Sequence, residues 1–279
     1  MNPRNQRLRT VCLILGPYRN LTTLIASALS LHPECQVLNH AGPRLLSGRR
    51  DFIERYSRRR LDRFCSAALE ASTSGWRGDH GGSIKLSHAF DRGDMQRLYE
   101  ARYGDRVIKD DVKVLVWKES EFVTNRIRAE PDRIDNLVSH APRLRYLMPV
   151  RHPFDCAQSN IRTGHAKRIP GADPTDVASV LVRIVEMIGW FGALVQKYPD
   201  RFYMFFQNDA PAAIADGLVR TLELSDDAEW REALNTVFTI SGEQYEYPAE
   251  LYEVFDDSVR QYLAALPDIA KRVSELVRG

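Results

Sequence analysis

Apolar and polar positions along this chain fall into blocks with two different periods. Five short runs are mainly apolar: Val11–Leu15, Cys35–His40 (ending on polar Asn39 and His40), Asp111–Trp117, Leu144–Val150 and Arg201–Phe206. Runs of this length, rich in β-branched and aromatic residues and bounded by polar or Gly/Pro positions, predict strands. Pro149 weakens the fourth, because proline cannot donate to a ladder. Between the runs, apolar residues return at helical spacing. The clearest stripe is Val177, Val180, Leu181, Ile184, Ile188, Phe191 and Val195, and Asp173-Pro174 predicts its N-cap and first-turn proline. A helix is predicted over 51–72, with Ile53, Tyr56, Leu61, Phe64 and Ala68 inward and Arg58 to Arg60 on a solvated face. From about Ala210 the pattern is helical, with Trp230, Tyr252, Phe255, Tyr262 and Leu263 available for packing. Strands separated by helical segments predict an α/β fold, its mostly parallel central sheet flanked by helices.

The first strand breaks at Gly16-Pro17, a polar loop follows, and apolar helical spacing resumes near Thr22. A strand, a tight loop and a helix N-terminus make an anion site, because free backbone N–H groups and the positive end of the helix dipole converge there. Against the nucleotide-hydrolysing pattern G-x-x-x-x-G-K-[ST], Gly16 and Thr23 fit, but Leu21 and Thr22 occupy the Gly-Lys positions. The basic group is instead Arg19, inside the loop.

Length and charge narrow the classes. At 279 residues the chain suits one α/β domain over 1–279, with 41–110 as a helical and loop insertion. Lys+Arg 39 against Asp+Glu 37 gives a net +2, which argues against a dedicated nucleic-acid binder. The four cysteines (Cys12, Cys35, Cys65, Cys156) include no C-x-x-C pair, and a reduced, cytoplasmic setting is the expectation. The apolar run after the basic N-terminus is too short for a signal segment or a membrane span, so no membrane partner is expected.

Further candidates sit at predicted strand ends, where ligands collect in open parallel sheets. These are Asn39 and His40 after the second strand, Lys118-Glu119-Ser120 after the third, and Arg151 through Ser159 after the fourth. If the third strand continued, Glu119 would point away from Lys118. Residues 74–94 are glycine-rich and carry His80, Lys85 and His88, a composition suited to a ligand-contacting loop or to a plain surface loop.

Two motifs together resemble sulfotransferases that use 3′-phosphoadenosine 5′-phosphosulfate (PAPS). The loop matches G-x-x-[RK]-S-G-T-T-[LW] at Arg19, Thr22, Thr23 and Leu24, with Asn20 and Leu21 replacing Ser and Gly. The later run matches R-[DN]-P-x-D-x-x-x-S at Arg151, Pro153, Asp155 and Ser159, with His152 replacing Asp or Asn. The resemblance covers about residues 10–206. It implies a P-loop NTPase-like sulfotransferase fold. It implies that Arg19, Asn20, Leu21, Thr22, Thr23 and Leu24 hold the 5′-phosphosulfate, and that Arg151 and Ser159 hold the 3′-phosphate. Lys118 falls on the family's lysine and would act on the sulfuryl group or the leaving oxygen, beside Arg19. No metal is implied, and the donor product would be adenosine 3′,5′-bisphosphate (PAP). For the base, Ser120 replaces the histidine of the cytosolic enzymes; His40 is the first candidate, Glu119 the second, and His88 or His80 follow. His80, Lys85 and His88 are expected to meet a small-molecule or glycan acceptor. Two other classes stay open. One is a kinase-like phosphoryl-transfer enzyme, with Glu119 its one candidate carboxylate for Mg²⁺. The other is a non-catalytic protein that binds nucleotide or anions through a degenerate loop.

Overall fold

The computed structural model describes residues 7–77, 80–91, 93–238 and 247–279. Six strands form one sheet: β1 (Thr10–Ile14), β2 (Cys35–Asn39), β3 (Gly82–Ser83), β4 (Val114–Lys118), β5 (Leu144–Val150) and β6 (Phe202–Phe206), in the order β3-β2-β4-β1-β5-β6. All neighbours are parallel except β3, which runs antiparallel to the tip of β2. The pattern predicted the other five strands and gave no sign of β3, which is only two residues long.

Alternation along the strands feeds two cores. On one face, Val11, Leu13, Leu115, Trp117, Tyr146, Met148, Phe202 and Phe206 meet α3 (Arg58–Ala71), α5 (Ser120–Arg128), α6 (Arg133–His140), α7 (Pro153–Arg162), α8 (Val177–Lys197), α11 (Ala249–Tyr262) and α12 (Pro267–Arg278). On the other, Cys12, Ile14, Val114, Val116, Leu147 and Phe205 meet α1 (Thr22–Ser30), α4 (Gly93–Tyr103), α9 (Pro211–Leu222) and α10 (Ala228–Val237). The short α2 (Gly42–Leu45) follows β2. The strands are buried on both faces, which is why they read as continuous apolar runs. All four cysteines are buried and free. By length and composition α8 alone among the described helices could cross a membrane; in the fold it packs on α7 and α11.

Several local expectations are corrected. The helix expected from Asp51 starts at Arg58, because Ser57 caps it through Arg60 N–H while Asp51 caps a turn through the N–H groups of Ile53 and Glu54. Helix α8 begins at Val177. Its N-cap is Asp176, which accepts from Ala178 and Ser179 N–H, whereas Asp173 closes a local turn onto Thr175. Pro149 is accommodated because its position faces β1 beyond that strand's last residue, so no donor is missed.

The topology places the site. The connection leaving β1 runs through α1 to one side of the sheet, and the connection leaving β5 runs through α8 to the other. The sheet therefore opens a crevice between the carboxyl ends of β1 and β5, the usual ligand position in such folds. Helix α1 is fixed from its far end as well: the buried Lys109 ammonium donates to the carbonyls of Ser30, His32 and Cys35.

Candidate active site

The β1–α1 loop is built from residues in uncommon backbone conformations. Gly16 has φ 111°, and Arg19 and Leu21 have φ 63° and 59°. Of five non-glycine residues with positive φ among those described, two are in this loop and two more are His40 (59°) and Ala41 (74°) at the end of β2. Such strain persists only where surrounding structure over-determines it, and it gathers at functional sites. Here Gly16 N–H donates to Thr124 Oγ1 (2.9 Å) and Tyr18 N–H to a Glu121 carboxylate oxygen (3.3 Å), so α5 shapes the loop from below. Leu21 caps α1 without any side-chain bond. The first N–H groups of that helix, at Thr22, Thr23 and Leu24, precede its first internal bond, from Ile25 N–H to Leu21 O.

Asn20 does something the resemblance did not assign. Its side chain is buried; Nδ2 donates to Pro149 O, and Oδ1 accepts from Arg151 N–H (2.8 Å). The amide that replaces the family's serine thus clamps the loop to the end of β5. Its side chain is spent on protein and not on a ligand. Arg19 makes the second bridge, donating from Nε to Ser159 Oγ (2.9 Å) on α7. Two motifs more than a hundred residues apart therefore form one wall across the β1/β5 crevice. Arg151 opens the adjoining turn and its guanidinium lies 3.4 Å from Asp155. His152 caps α7, its Nδ1 facing Asp155 N–H at 3.4 Å.

Beside that wall, β2 and β4 end together. Lys118 Nζ lies 2.9 Å from His40 Nε2 and Glu119 Oε1 3.5 Å from His40 Nδ1; an ammonium can only donate and a carboxylate only accept, so this pairing suits the tautomer with its proton on Nδ1. The condition under which Glu119 would point away is not met: β4 stops at Lys118, and the turn into α5 (Glu119 φ −140°, ψ 45°) swings the carboxylate back. Its other oxygen accepts from Gly42 N–H at 2.8 Å. Burial pulls the Lys118 ammonium down to about 8. Tyr18, which the sequence reading passed over, places its hydroxyl between Glu119 (3.5 Å) and the guanidinium of Arg168 (3.4 Å), and its ring lies 4.9 Å from that of His165. Burial, reinforced by Glu119, pushes the Tyr18 hydroxyl well above its ordinary range. His165 is lowered by burial, then by the charges of Arg19 and Arg168 and, further down, of Lys118. Tyr18 sits inside the loop already singled out, so its place could have been suspected. His165 and Arg168 lie in a single 3₁₀ turn, too short to carry a periodic signal.

The glycine-rich segment is only partly at the site. Gly81 (φ 67°) packs so closely that a side chain there would lie 2.3 Å from Ala41 N, so this glycine serves backbone packing on the tip of β2. His88 is exposed as a residue, with part of its ring shielded. That shielding, then Lys118 and Arg19, lower its imidazole. His80 stacks on Trp76, ring centroids 3.3 Å apart. Lys85 is not brought to the site; its ammonium sits 5.1 Å over the Tyr99 ring on α4.

No family model matches the sequence, and no curated protein matches it. Among solved structures, the chain is similar to the sulfotransferase domain from the curacin biosynthetic pathway (16% identity, 91% of this chain and 98% of that one, TM-score 0.45). It is also similar to a mouse sulfotransferase complexed with PAP (10% identity, 96% and 88%, TM-score 0.46). A third is the sulfotransferase from Alicyclobacillus acidocaldarius (14% identity, 92% and 96%, TM-score 0.42). At TM-scores below 0.5 these likenesses assign no residue and no reaction.

Proposed function

We propose that this chain is a sulfotransferase that moves the sulfuryl group of PAPS to a hydroxyl of a small-molecule or carbohydrate acceptor. One observation carries the reading: Arg19 and Asn20 of the β1–α1 loop bond directly to Ser159 and to the Pro149–Arg151 turn, so one cationic wall spans the crevice. A molecule with an anionic group at each end fits such a wall. The uncapped α1 N-terminus with Thr22 and Thr23 suits a 5′-phosphosulfate, and Arg151 with the start of α7 suits a 3′-phosphate. The donor supplies the activated sulfur–oxygen bond. The rest falls to side chains of this chain.

Arg19, permanently charged, and Lys118 offset negative charge where the leaving oxygen departs. Lys118 also controls the base. While its ammonium is donated to Nε2, the His40 lone pair is occupied; drawing Lys118 toward the donor frees Nε2 to accept the acceptor's proton. Glu119 holds Nδ1–H and favours the imidazolium that results. In this reading Glu119 is the orienting carboxylate and His40 the base. Both Glu119 oxygens already have protein partners, which favours this role over that of a Mg²⁺ ligand.

The direct test is isothermal titration with PAP and, separately, with ATP–Mg²⁺. PAP is expected to bind, and Arg151→Ala to weaken it at least tenfold; tighter binding of ATP–Mg²⁺ than of PAP would instead support phosphoryl transfer. His40→Ala should lower turnover by about 10²–10⁴, the range for losing a general base, with PAP affinity unchanged. Near-normal turnover in that variant removes His40 from the role.

A further inference from the structure

The segment that follows the His40 turn is charged in a way the donor site does not use. Residues 44–63 hold eight arginines and no lysine, against three acidic residues, in a chain whose net charge is only +2. Those three acids serve arginines from elsewhere: Asp51 and Glu54 pair with Arg126, and Asp62 pairs with Arg143. Among the described residues none of the eight arginines has a carboxylate partner. Six of them, Arg44, Arg49, Arg55, Arg58, Arg59 and Arg63, are exposed.

The placement also runs against helix electrostatics. Helix α3 opens on Arg58-Arg59-Arg60 with no acid in its first turn, so three cations stand at the positive end of its dipole. An ordinary solvated face would put carboxylates there. Close by is the most exposed large apolar side chain among the described residues, Trp76, at 61% exposure. Trp76 stacks on His80, whose imidazole is lowered first by desolvation and then by the nearby charge of Arg44, so the indole and the arginine surface adjoin. Gly81, the next residue, packs on the His40–Ala41 turn and ties this border to the candidate site.

We propose that the surface bearing Arg44, Arg49, Arg55, Arg58, Arg59 and Arg63, bordered by Trp76, docks an anionic polysaccharide that presents a hydroxyl to His40. The delivery to His40 rests on the reading above; the docking does not. Guanidinium forks match planar carboxylate and sulfate groups, and an open indole face matches the apolar face of a sugar ring. A polysaccharide favours this arrangement over an acidic protein or a nucleic acid because one molecule carries the anions, the ring faces and the acceptor hydroxyl together.

The test is titration calorimetry of the full chain with a size-defined heparin oligosaccharide, with poly-L-glutamate and oligo-dT of equal charge as comparisons. Heparin is expected to bind at least tenfold more tightly than either comparison. The triple variant R58E/R59E/R63E should raise the heparin Kd at least tenfold and flatten its salt dependence. Trp76→Ala should weaken heparin but not poly-L-glutamate. Removing like charges from the α3 N-terminus should leave Tm equal or higher, so lost binding reports the surface and not the fold. Unchanged heparin binding in the triple variant, no heparin binding at all, or equal binding of poly-L-glutamate or oligo-dT overturns the proposal. None of these readouts needs turnover or PAP, so failure of the sulfotransferase reading and failure of this one are seen separately.

Discussion

Asn20 and Lys118 show how much a single side chain decides here. Asn20 stands where the resembled motif has serine, and serine could not reach both Pro149 O and Arg151 N–H. Asn20→Ala would leave the buried Pro149 carbonyl without this partner, at about 1–3 kcal/mol, and free the part-buried Arg151 N–H at a smaller cost. Its expected result is a Tm lower by several degrees and a weaker PAP interaction, read by thermal denaturation and calorimetry. A variant with unchanged Tm would mean that other contacts hold the loop. Lys118 makes a pH prediction. Burial brings its ammonium to about 8, so its charge is present below that value and is lost as pH rises through it. Turnover should fall above pH 8 if Lys118 acts as a cation. Lys118→Arg, which keeps its charge, should shift the alkaline limb upward even where the maximum is lower.

At the level of elements, the loop is shaped by α5 as much as by its own residues. Thr124 and Glu121 take the N–H groups of Gly16 and Tyr18. Glu121 is fully buried, and burial raises its carboxyl from 4.5 to about 8. Between those values the folded protein holds a proton that the unfolded chain has released. This group's contribution to stability therefore declines as pH rises from 4.5 to 8 and is flat above. Glu121→Gln keeps an acceptor for Tyr18 N–H and removes the titration. The variant should gain more in Tm at pH 8 than at pH 5. An equal change at both would show that Glu121 is not protonated in the fold.

The whole molecule adds one more expectation, because the crevice is lined by residues brought together only by folding. A ligand that bridges its two sides binds the native state alone. PAP at a hundredfold excess over its Kd should stabilise the protein by about 2.7 kcal/mol, following mass action. In Arg151→Ala, with the Kd raised tenfold, that gain should fall to about 1.4 kcal/mol or less at the same PAP concentration. A Tm insensitive to PAP in the parent protein would remove the bridging ligand from the picture.

Much of this architecture was legible beforehand, and for a physical reason. Strands buried on both faces must be apolar throughout, and helices covering them must be apolar on one side, so both periods are written locally. Gly16-Pro17 and the return of helical spacing near Thr22 announced the strand–loop–helix turn because backbone conformation and helix ends obey local rules. The departures were also physical. Asp173 and Asp176 are equally good caps in isolation; in the fold Asp176 caps α8 while Asp173 is taken up by Thr175. Lys85 was grouped with His80 and His88 by composition, yet the Tyr99 ring drew it elsewhere. By itself the chain determined its α/β layering, its loop chemistry and the residue types at each strand end. Only the tertiary structure decided which of those ends meet, that Asn20 is a clamp, that Glu119 turns back to His40, and that Tyr18, His165 and Arg168 stand beside them. Those contacts join residues far apart in sequence, and their geometry depends on where strands stop and how helices pack, which no local pattern encodes.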